Sequence, residues 1–174
     1  MGEKKSNQSI EEIASSLLDE NKLKTFLDFY DSLNSNKLGK GNTGFNPKLN
    51  RYKWAIKYKN KRIGSFSFHG NFWSMSCFDL FSRNNWFEKC EKYLNAELKD
   101  FILTNLNTTS TCCVKRTCHS VENKIILGKI FNYRVCGCAP IKLIDPDGKT
   151  LEYAKELLLI GKNIIAEMAA SSIK

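Results

Sequence analysis

Residues 51–59 alternate between apolar and polar side chains, and this pattern constrains the fold more than any other feature of the chain. One set is aromatic or branched: Tyr52, Trp54, Ile56 and Tyr58. The other set is mostly basic: Arg51, Lys53, Ala55, Lys57 and Lys59. Because successive residues of a β-strand point to opposite faces of a sheet, the pattern predicts a strand with one buried and one solvated face.

Two further strands are predicted directly after this one, at residues 63–68 and 72–78. Short polar segments at residues 60–61 and 69–71 supply the turns between them. Three strands in such close succession indicate an antiparallel meander.

Helical spacing of apolar residues precedes the meander. Ser9 and Glu12 have the spacing of a capping box, and apolar residues recur at helical intervals as far as Leu33. The polar break at residues 19–22 leaves two alternatives, two short helices or one kinked helix. Residues 34–50 are rich in Asn, Ser, Gly and Lys without periodicity, so they are predicted to form a loop.

The second half of the chain adds two helices and two strands. A long apolar stripe predicts a helix over residues 82–103, and strands are predicted at residues 124–133 and 134–143. A turn at residues 145–148 then leads into a last helix over residues 149–169.

This order of elements argues against a doubly wound parallel sheet, because strands and helices do not alternate one for one. We predict an α+β fold: a mostly antiparallel sheet of about five strands, with helices packed on one face. Residues 1–8 are expected to be a disordered tail, and residues 9–174 a single domain. The side chains expected to share one core are Trp54, Phe66, Trp73, Trp86, Phe87, Leu157, Leu158 and Ile165.

Two motifs resemble the small bacterial YdhG-like domains of unknown function. They are Trp54-Ala55-Ile56-Lys57-Tyr58-Lys59-Asn60-Lys61-Arg62 before a hydrophobic hairpin, and Gly128-Lys129-Ile130-Phe131 with Asp145-Pro146-Asp147 before a helix. The resemblance covers residues 10–168 in outline and implies a compact frataxin-like α+β fold without established catalytic residues. Some of these relatives are regarded as iron chaperones, a role tied to an acidic surface, whereas the distinctive surface predicted here is basic.

The whole excess of positive charge lies in one segment. Between Ser32 and Phe78 there is no acidic residue, and nine basic residues account for the net charge of +9. Such a field attracts an anionic ligand, nucleic acid or an acidic partner. The candidate ligand-binding residues are Lys48, Arg51, Lys53, Lys57 and Lys59.

A simpler alternative is a solvated sheet face, on which lysine is common. Nucleic acid in particular lacks support, because Tyr52, Trp54 and Tyr58 are predicted to face the buried side, whereas stacking needs exposed rings. The choice between an anion site and a solvated face stays open at this point.

Five of the seven cysteines cluster near one another in sequence. Cys113, Cys118, Cys136 and Cys138 could supply four thiolates to a tetrahedral zinc ion, which makes zinc the candidate cofactor. The alternative is that these cysteines are small packing residues, as Cys77 and Cys90 are expected to be from their places on apolar faces.

The sequence favours a binding module over an enzyme. It contains no phosphate loop, dinucleotide fingerprint, nucleophile elbow or paired-histidine zinc motif, so no catalytic residue is assigned. A metal-binding protein is the second hypothesis, and a thiol-dependent enzyme using Cys118 or Cys77 is the third. No apolar run is long enough for a membrane span, and without a signal segment the expected location is the cytoplasm, where cysteines stay reduced.

Overall fold

The computed structural model describes residues 8–78, 86–107, 124–131, 135–136 and 139–171. The tail predicted at the N-terminus falls, apart from its last residue, outside the described residues. Within them the fold is α+β, with a mostly antiparallel sheet and helices on one of its faces, as predicted.

Two N-terminal helices resolve the alternative that the sequence left open. Helix α1 (Ile10–Leu17) begins at the predicted capping box, in which Ser9 Oγ accepts from the Glu12 backbone N–H at 3.1 Å and Glu12 accepts from the Ser9 N–H at 2.8 Å. Helix α2 (Glu20–Ser35) is capped separately, since Asp19 accepts from the Lys22 N–H at 3.0 Å. The polar break therefore starts a new helix instead of bending one.

Strands make up the middle of the described chain and return near its end. Their bounds are β1 (Gly39–Asn46), β2 (Arg51–Tyr58), β3 (Lys61–His69), β4 (Phe72–Cys77), β5 (Lys124–Ile126), β6 (Lys129–Phe131) and β7 (Ile141–Ile144). Five of them form an antiparallel sheet in the order β1-β2-β3-β4-β7, and β5 and β6 pair with each other in a separate hairpin.

The main sheet has the predicted five strands, but two of the predictions behind that count are wrong. Residues 34–50, predicted to be a loop, contain the edge strand β1. Within the range 124–133, predicted to be one strand, residues 124–131 form the small β5–β6 hairpin, because the chain turns at Leu127 and Gly128, both with positive φ. Within the strand predicted at 134–143, the described residues form a strand from Ile141, where β7 begins.

The second helical region is more broken than predicted. Instead of one helix over 82–103, the described residues form α3 (Trp86–Cys90), a 3₁₀ turn (Glu91–Tyr93) and α4 (Ala96–Thr104). Asn95 ends the turn and starts α4 by accepting from the Leu98 N–H at 2.8 Å. The last helix, α5, spans Gly148–Ser171.

The core lies between the sheet and helices α2 and α5, which contact β3 and β4. Phe26 of α2 is fully buried at its centre, with its ring centroid 4.7 Å from that of Phe68 and 5.4 Å from that of Trp73. Helix α5 approaches β3 at Gly64, where a Cβ atom would lie 2.9 Å from Leu158 and 2.4 Å from a β4 carbonyl oxygen.

The predicted core is confirmed for seven of its eight residues, and the side chain of Trp86 lies outside what the structure describes. The confirmed members are Trp54, Phe66, Trp73, Phe87, Leu157, Leu158 and Ile165.

A polar tie holds α2 to the end of the sheet. Asp145 follows β7, and its carboxylate accepts from the Trp73 backbone N–H at 2.8 Å. The same carboxylate lies 3.4 Å from the ammonium group of Lys22, which also donates to the Asn71 carbonyl oxygen at 2.9 Å. Asp145, in the turn predicted at residues 145–148, thus connects strand β4 to helix α2.

We expect Phe26→Ala to lower the free energy of unfolding by about 3–5 kcal/mol, because it removes a fully buried ring that touches five other aromatic rings. Urea denaturation would measure the change. Ile130→Ala is the matched control, since Ile130 is 69% exposed and its loss should change stability by less than about 0.5 kcal/mol. Equal effects of the two substitutions would contradict the core described here.

Candidate anion-binding site

Strand β2 separates aromatic from basic residues as its alternation predicts. Trp54 pairs with Phe66 on the side of the sheet that α2 and α5 cover, and Lys53 pairs with Ser67 on the other side. Arg51 and Lys57 share the side of Lys53. These three residues, Arg51, Lys53 and Lys57, are called the basic face below.

The other two predicted ligand-binding residues lie apart from the basic face. Lys59 is not in the strand: it occupies the turn after β2 with φ of 45°, and its ammonium group lies 5.7 Å from the centre of the Tyr58 ring. Lys48 is exposed in the 3₁₀ turn Pro47–Leu49, where its backbone N–H donates to Asn46 Oδ1 at 3.1 Å. The structure thus brings three of the five together on one face and places two at the ends of β2.

Glycines of β1 form the edge of the sheet beside the basic face. Gly39 pairs with Lys57 and Gly44 pairs with Lys53, so this side of the edge strand carries little side-chain bulk. At Gly41 a Cβ atom would lie 2.9 Å from Lys57 Nζ, which places the ammonium group of Lys57 over bare backbone. A ligand can therefore approach the cations closely from this edge.

Farther from the edge, the same side of the sheet is lined with serine. Ser65 and Ser76 share a hydrogen bond of 2.7 Å, and Ser67 and Ser74 share one of 3.0 Å. All four side chains are buried. Since the hydroxyl groups pair with each other and are buried, solvent reaches the candidate site only at its basic end, where Arg51, Lys53 and Lys57 are half-buried.

Most of the cations in this segment have no carboxylate partner among the described residues. Lys53 and Arg62 make further contacts of their own. The ion pairs found between described residues involve none of Lys37, Lys40, Lys48, Arg51, Lys57, Lys59 and Lys61. Seven of the nine cations predicted from sequence are therefore not neutralised by the described acidic residues.

Arg51 has a second unusual feature. Its Nε atom is buried and has no hydrogen-bond acceptor in the described part of the chain. Arg51 stands between Asn46 of β1 and His69 of β3 in the sheet register. Buried donors are normally paired, and a guanidinium group binds phosphate or carboxylate through two parallel N–H groups. This end of the basic face is therefore suited to an anionic oxygen.

The aromatic residues of β2 lie on the helix side, as expected, but they are not equally buried. Trp54 is buried, whereas Tyr52 and Tyr58 are half-buried. The Tyr58 ring has the ammonium group of Lys162 5.5 Å from its centre. Sequence reasoning missed Phe45, which is 39% exposed on β1, with its ring centroid 4.6 Å from that of Tyr52. Because residues 39–46 show no alternation of apolar and polar side chains, the sequence did not indicate that Phe45 lies in a strand.

The predicted zinc site is only partly within the described residues. Cys113, Cys118 and Cys138 lie outside them. Cys136 is buried and disulfide-bonded, so its sulfur is not a thiolate ligand in this structure. No group of three or more metal-ligating side chains occurs in the part of the chain that the structure describes.

This disulfide corrects the expectation that all the cysteines are reduced packing residues or metal ligands. Reduced cysteines were the consequence expected of a cytoplasmic location. Because disulfides persist mainly in oxidising compartments, the disulfide of Cys136 does not fit that expectation.

The two other described cysteines are free and buried, as predicted. Cys77 lies on β4 with Sγ 3.7 Å from the Ala154 carbonyl oxygen. Burial raises the pKa of the Cys90 thiol to about 12. A nucleophilic cysteine needs an accessible thiolate, so the burial of Cys77 argues against its role in a thiol-dependent enzyme. Cys118, the other candidate, is outside the described residues.

The chain matches no protein-family model, no curated protein and no solved structure. The resemblance to YdhG-like domains therefore stays a prediction. Among the described residues, no helix has both the length and the apolar character that crossing a membrane requires.

We expect Cys77 and Cys90 to resist iodoacetamide in the native protein at pH 8, because both are buried and the raised pKa keeps Cys90 protonated. Peptide mapping by mass spectrometry would locate the label. The unfolded thiol ionises near its ordinary pKa of about 8.5, so the contribution of Cys90 to the free energy of unfolding should decrease as pH rises from about 9 towards 12.

Denaturation provides the control for this labelling. In denaturant without reductant, Cys77 and Cys90 should become labelled while Cys136 stays protected by its disulfide. Adding reductant should then expose Cys136. Labelling of Cys136 in the unreduced protein would contradict the disulfide, and rapid native labelling of Cys90 would contradict its burial.

Proposed function

We propose that this protein is a binding module for a polyanion, which it holds on the basic face of Arg51, Lys53 and Lys57. The observation that carries the proposal is the concentration of nine cations in residues 37–62, seven of which form no ion pair with the described acidic residues. A surface of this kind binds a chain of negative charges by releasing the counterions that surround it.

The spacing of the charges supports a ligand with repeated charges. Arg51 and Lys53 stand two residues apart on one strand, and like charges on neighbouring positions of a sheet repel each other. An anionic chain lying along β2 would convert that repulsion into attraction at each position.

The glycine-rich edge supports the same ligand geometry. With Gly39 and Gly41 beside Lys57, the basic face opens towards the edge of the sheet without large side chains in between. A polymer can therefore reach the cations along the edge, and no deep pocket is needed. An acidic protein partner is the alternative with the same charge, but a flat strip of repeated cations suits a polyanion better.

We expect Arg51→Gln and Lys57→Gln each to weaken binding of heparin and of single-stranded oligothymidylate, which are both linear polyanions. Fluorescence anisotropy at several salt concentrations would measure both affinities. For the single strand, losing one phosphate contact should reduce the slope of log affinity against log salt by about 0.7.

Lys24→Gln is the matched control. Lys24 is an exposed cation on α2, away from the basic face, and its substitution by Gln removes the same charge as Lys57→Gln does. If Lys24→Gln weakens binding as much as Lys57→Gln, the attraction is a property of net charge and the proposed site is wrong. Failure of the unaltered protein to bind either probe at low salt would overturn the function itself.

A further inference from the structure

Strand β1 leaves one edge of the main sheet open. It is the first strand in the sheet order and pairs with β2, and no other described strand lies along its outer side. Every second backbone N–H and C=O of such an edge strand points away from the sheet. Gly39 is exposed and Gly41 is half-buried, so solvent reaches this backbone. An edge of this kind can accept a further strand through main-chain hydrogen bonds.

The first half of β1 has little of the protection that edge strands usually carry. Proteins block strand addition with prolines, bulges and lysine side chains along the edge. Residues 39–42 contain no proline, and the bulge of β1 comes after them, at Gly44. The ammonium group of Lys40 is held against helix α2, where it donates to Asn34 Oδ1 and lies 4.5 Å from the centre of the Tyr30 ring. Residues 39–42 therefore form a regular stretch of open edge.

Lys57 brings a positive charge to this stretch. It belongs to β2 and pairs with Gly39, yet a Cβ atom on Gly41 would lie 2.9 Å from its Nζ atom. The ammonium group has therefore crossed from its own strand to lie over the backbone of β1. Because neighbouring strands are about 4.8 Å apart, a Glu side chain on a strand added beyond β1 would be within reach of this ammonium group. The ion pairs between described residues do not involve Lys57.

We propose that the polyanion is an extended acidic polypeptide segment, which adds to β1 as a sixth strand and pairs a carboxylate with Lys57. This inference rests on the proposed function and names its ligand. Unlike a folded acidic surface, an extended acidic segment is itself a linear polyanion, and its backbone also pairs with the open edge. Heparin and nucleic acid supply negative charge without a strand-forming backbone. A second copy of this chain suits the edge poorly, because its β1 would bring the same positive charge.

A peptide of alternating Thr and Glu, with the length of β1, tests the inference. In a strand, this alternation places every Glu on one face, so all the carboxylates lie on the side of Lys57. Methylating two successive backbone nitrogens in its middle removes one donor from each edge of the strand and keeps every charge. Because hydrogen bonds to β1 are lost, this methylation should lower the affinity about tenfold, as measured by fluorescence anisotropy. Replacing every Glu by Gln should abolish binding.

Substitutions in the protein test the charged contact. Lys57→Gln should weaken binding of the Thr-Glu peptide and of heparin, because both need the ammonium group. Lys24→Gln, which removes an equal charge from α2, is the control and should change neither affinity.

Hydrogen exchange measured by NMR observes the added strand directly. With the Thr-Glu peptide bound, alternate backbone amides of residues 39–42 should exchange more slowly, because every second N–H group of β1 points outwards. Heparin should not produce this alternation, since it has no strand backbone to pair with the edge.

The outcomes separate the added strand from the proposed function. If heparin and oligothymidylate bind through Arg51 and Lys57 but the Thr-Glu peptide does not bind, the polyanion site stands and the added strand is overturned. Equal affinities of the methylated and unmethylated peptides would overturn it too, because charge alone would then hold the peptide. A stable dimer with alternate β1 amides protected in the absence of peptide would give the edge to a second copy and so contradict the inference. If no probe binds the unaltered protein, both proposals fail together.

Discussion

The packing of Phe26 against the sheet is the interaction on which the rest of the structure depends. Its ring contacts Phe66 and Phe68 of β3 and Trp73 of β4, and it is fully buried. These contacts fix helix α2 to one face of the sheet and so decide which face is the core. Burying rings of this size supplies a large share of the hydrophobic free energy of folding. The polar tie between Lys22 and Asp145 then holds the same helix at the end of the sheet.

The choice of buried face also decides where the charge goes. Trp54 and Ile56 are buried against the core, so the residues that alternate with them on β2 must point to the opposite side. A register slip of one residue would bury Lys53 and expose Trp54. Burying a charge and exposing a large ring both cost free energy, so the observed register is strongly favoured. The positions of Arg51 and Lys57 therefore follow from hydrophobic packing on the other side of the strand. The site needs no separate scaffold, because the core of the protein already orders it.

Sequence patterns predicted the elements whose residues pack in the core or bond locally, and they missed the elements that depend on contacts between distant parts of the chain. The alternation of β2, the capping box at Ser9 and most of the core residues were readable, because each follows from local burial or local hydrogen bonding. Strand β1 was not readable, since its glycines give no alternation and its strand conformation depends on pairing with β2. The disulfide of Cys136 was not readable either, because its formation requires spatial proximity that spacing does not show. Of the five predicted ligand-binding residues, the sequence placed four on one face; the structure keeps three of them there and puts Lys59 in the turn after β2, which alternation gave no reason to expect.

The strand that the sequence did not predict is the one that shapes the candidate site. The two sides of β1 contribute differently. Gly41 leaves room for the ammonium group of Lys57 on one side, and Phe45 places its ring beside Tyr52 on the other. Both effects require a strand that contributes little to the core, since a residue buried there would have to satisfy packing first. A bulge at Gly44 is tolerated for the same reason, because an edge strand has only one neighbour to keep in register. Strand β1 gives a weak sequence signal because its residues do not have to pack in the core. For the same reason, β1 can carry the Phe45 ring on one side and leave space for the Lys57 ammonium group on the other.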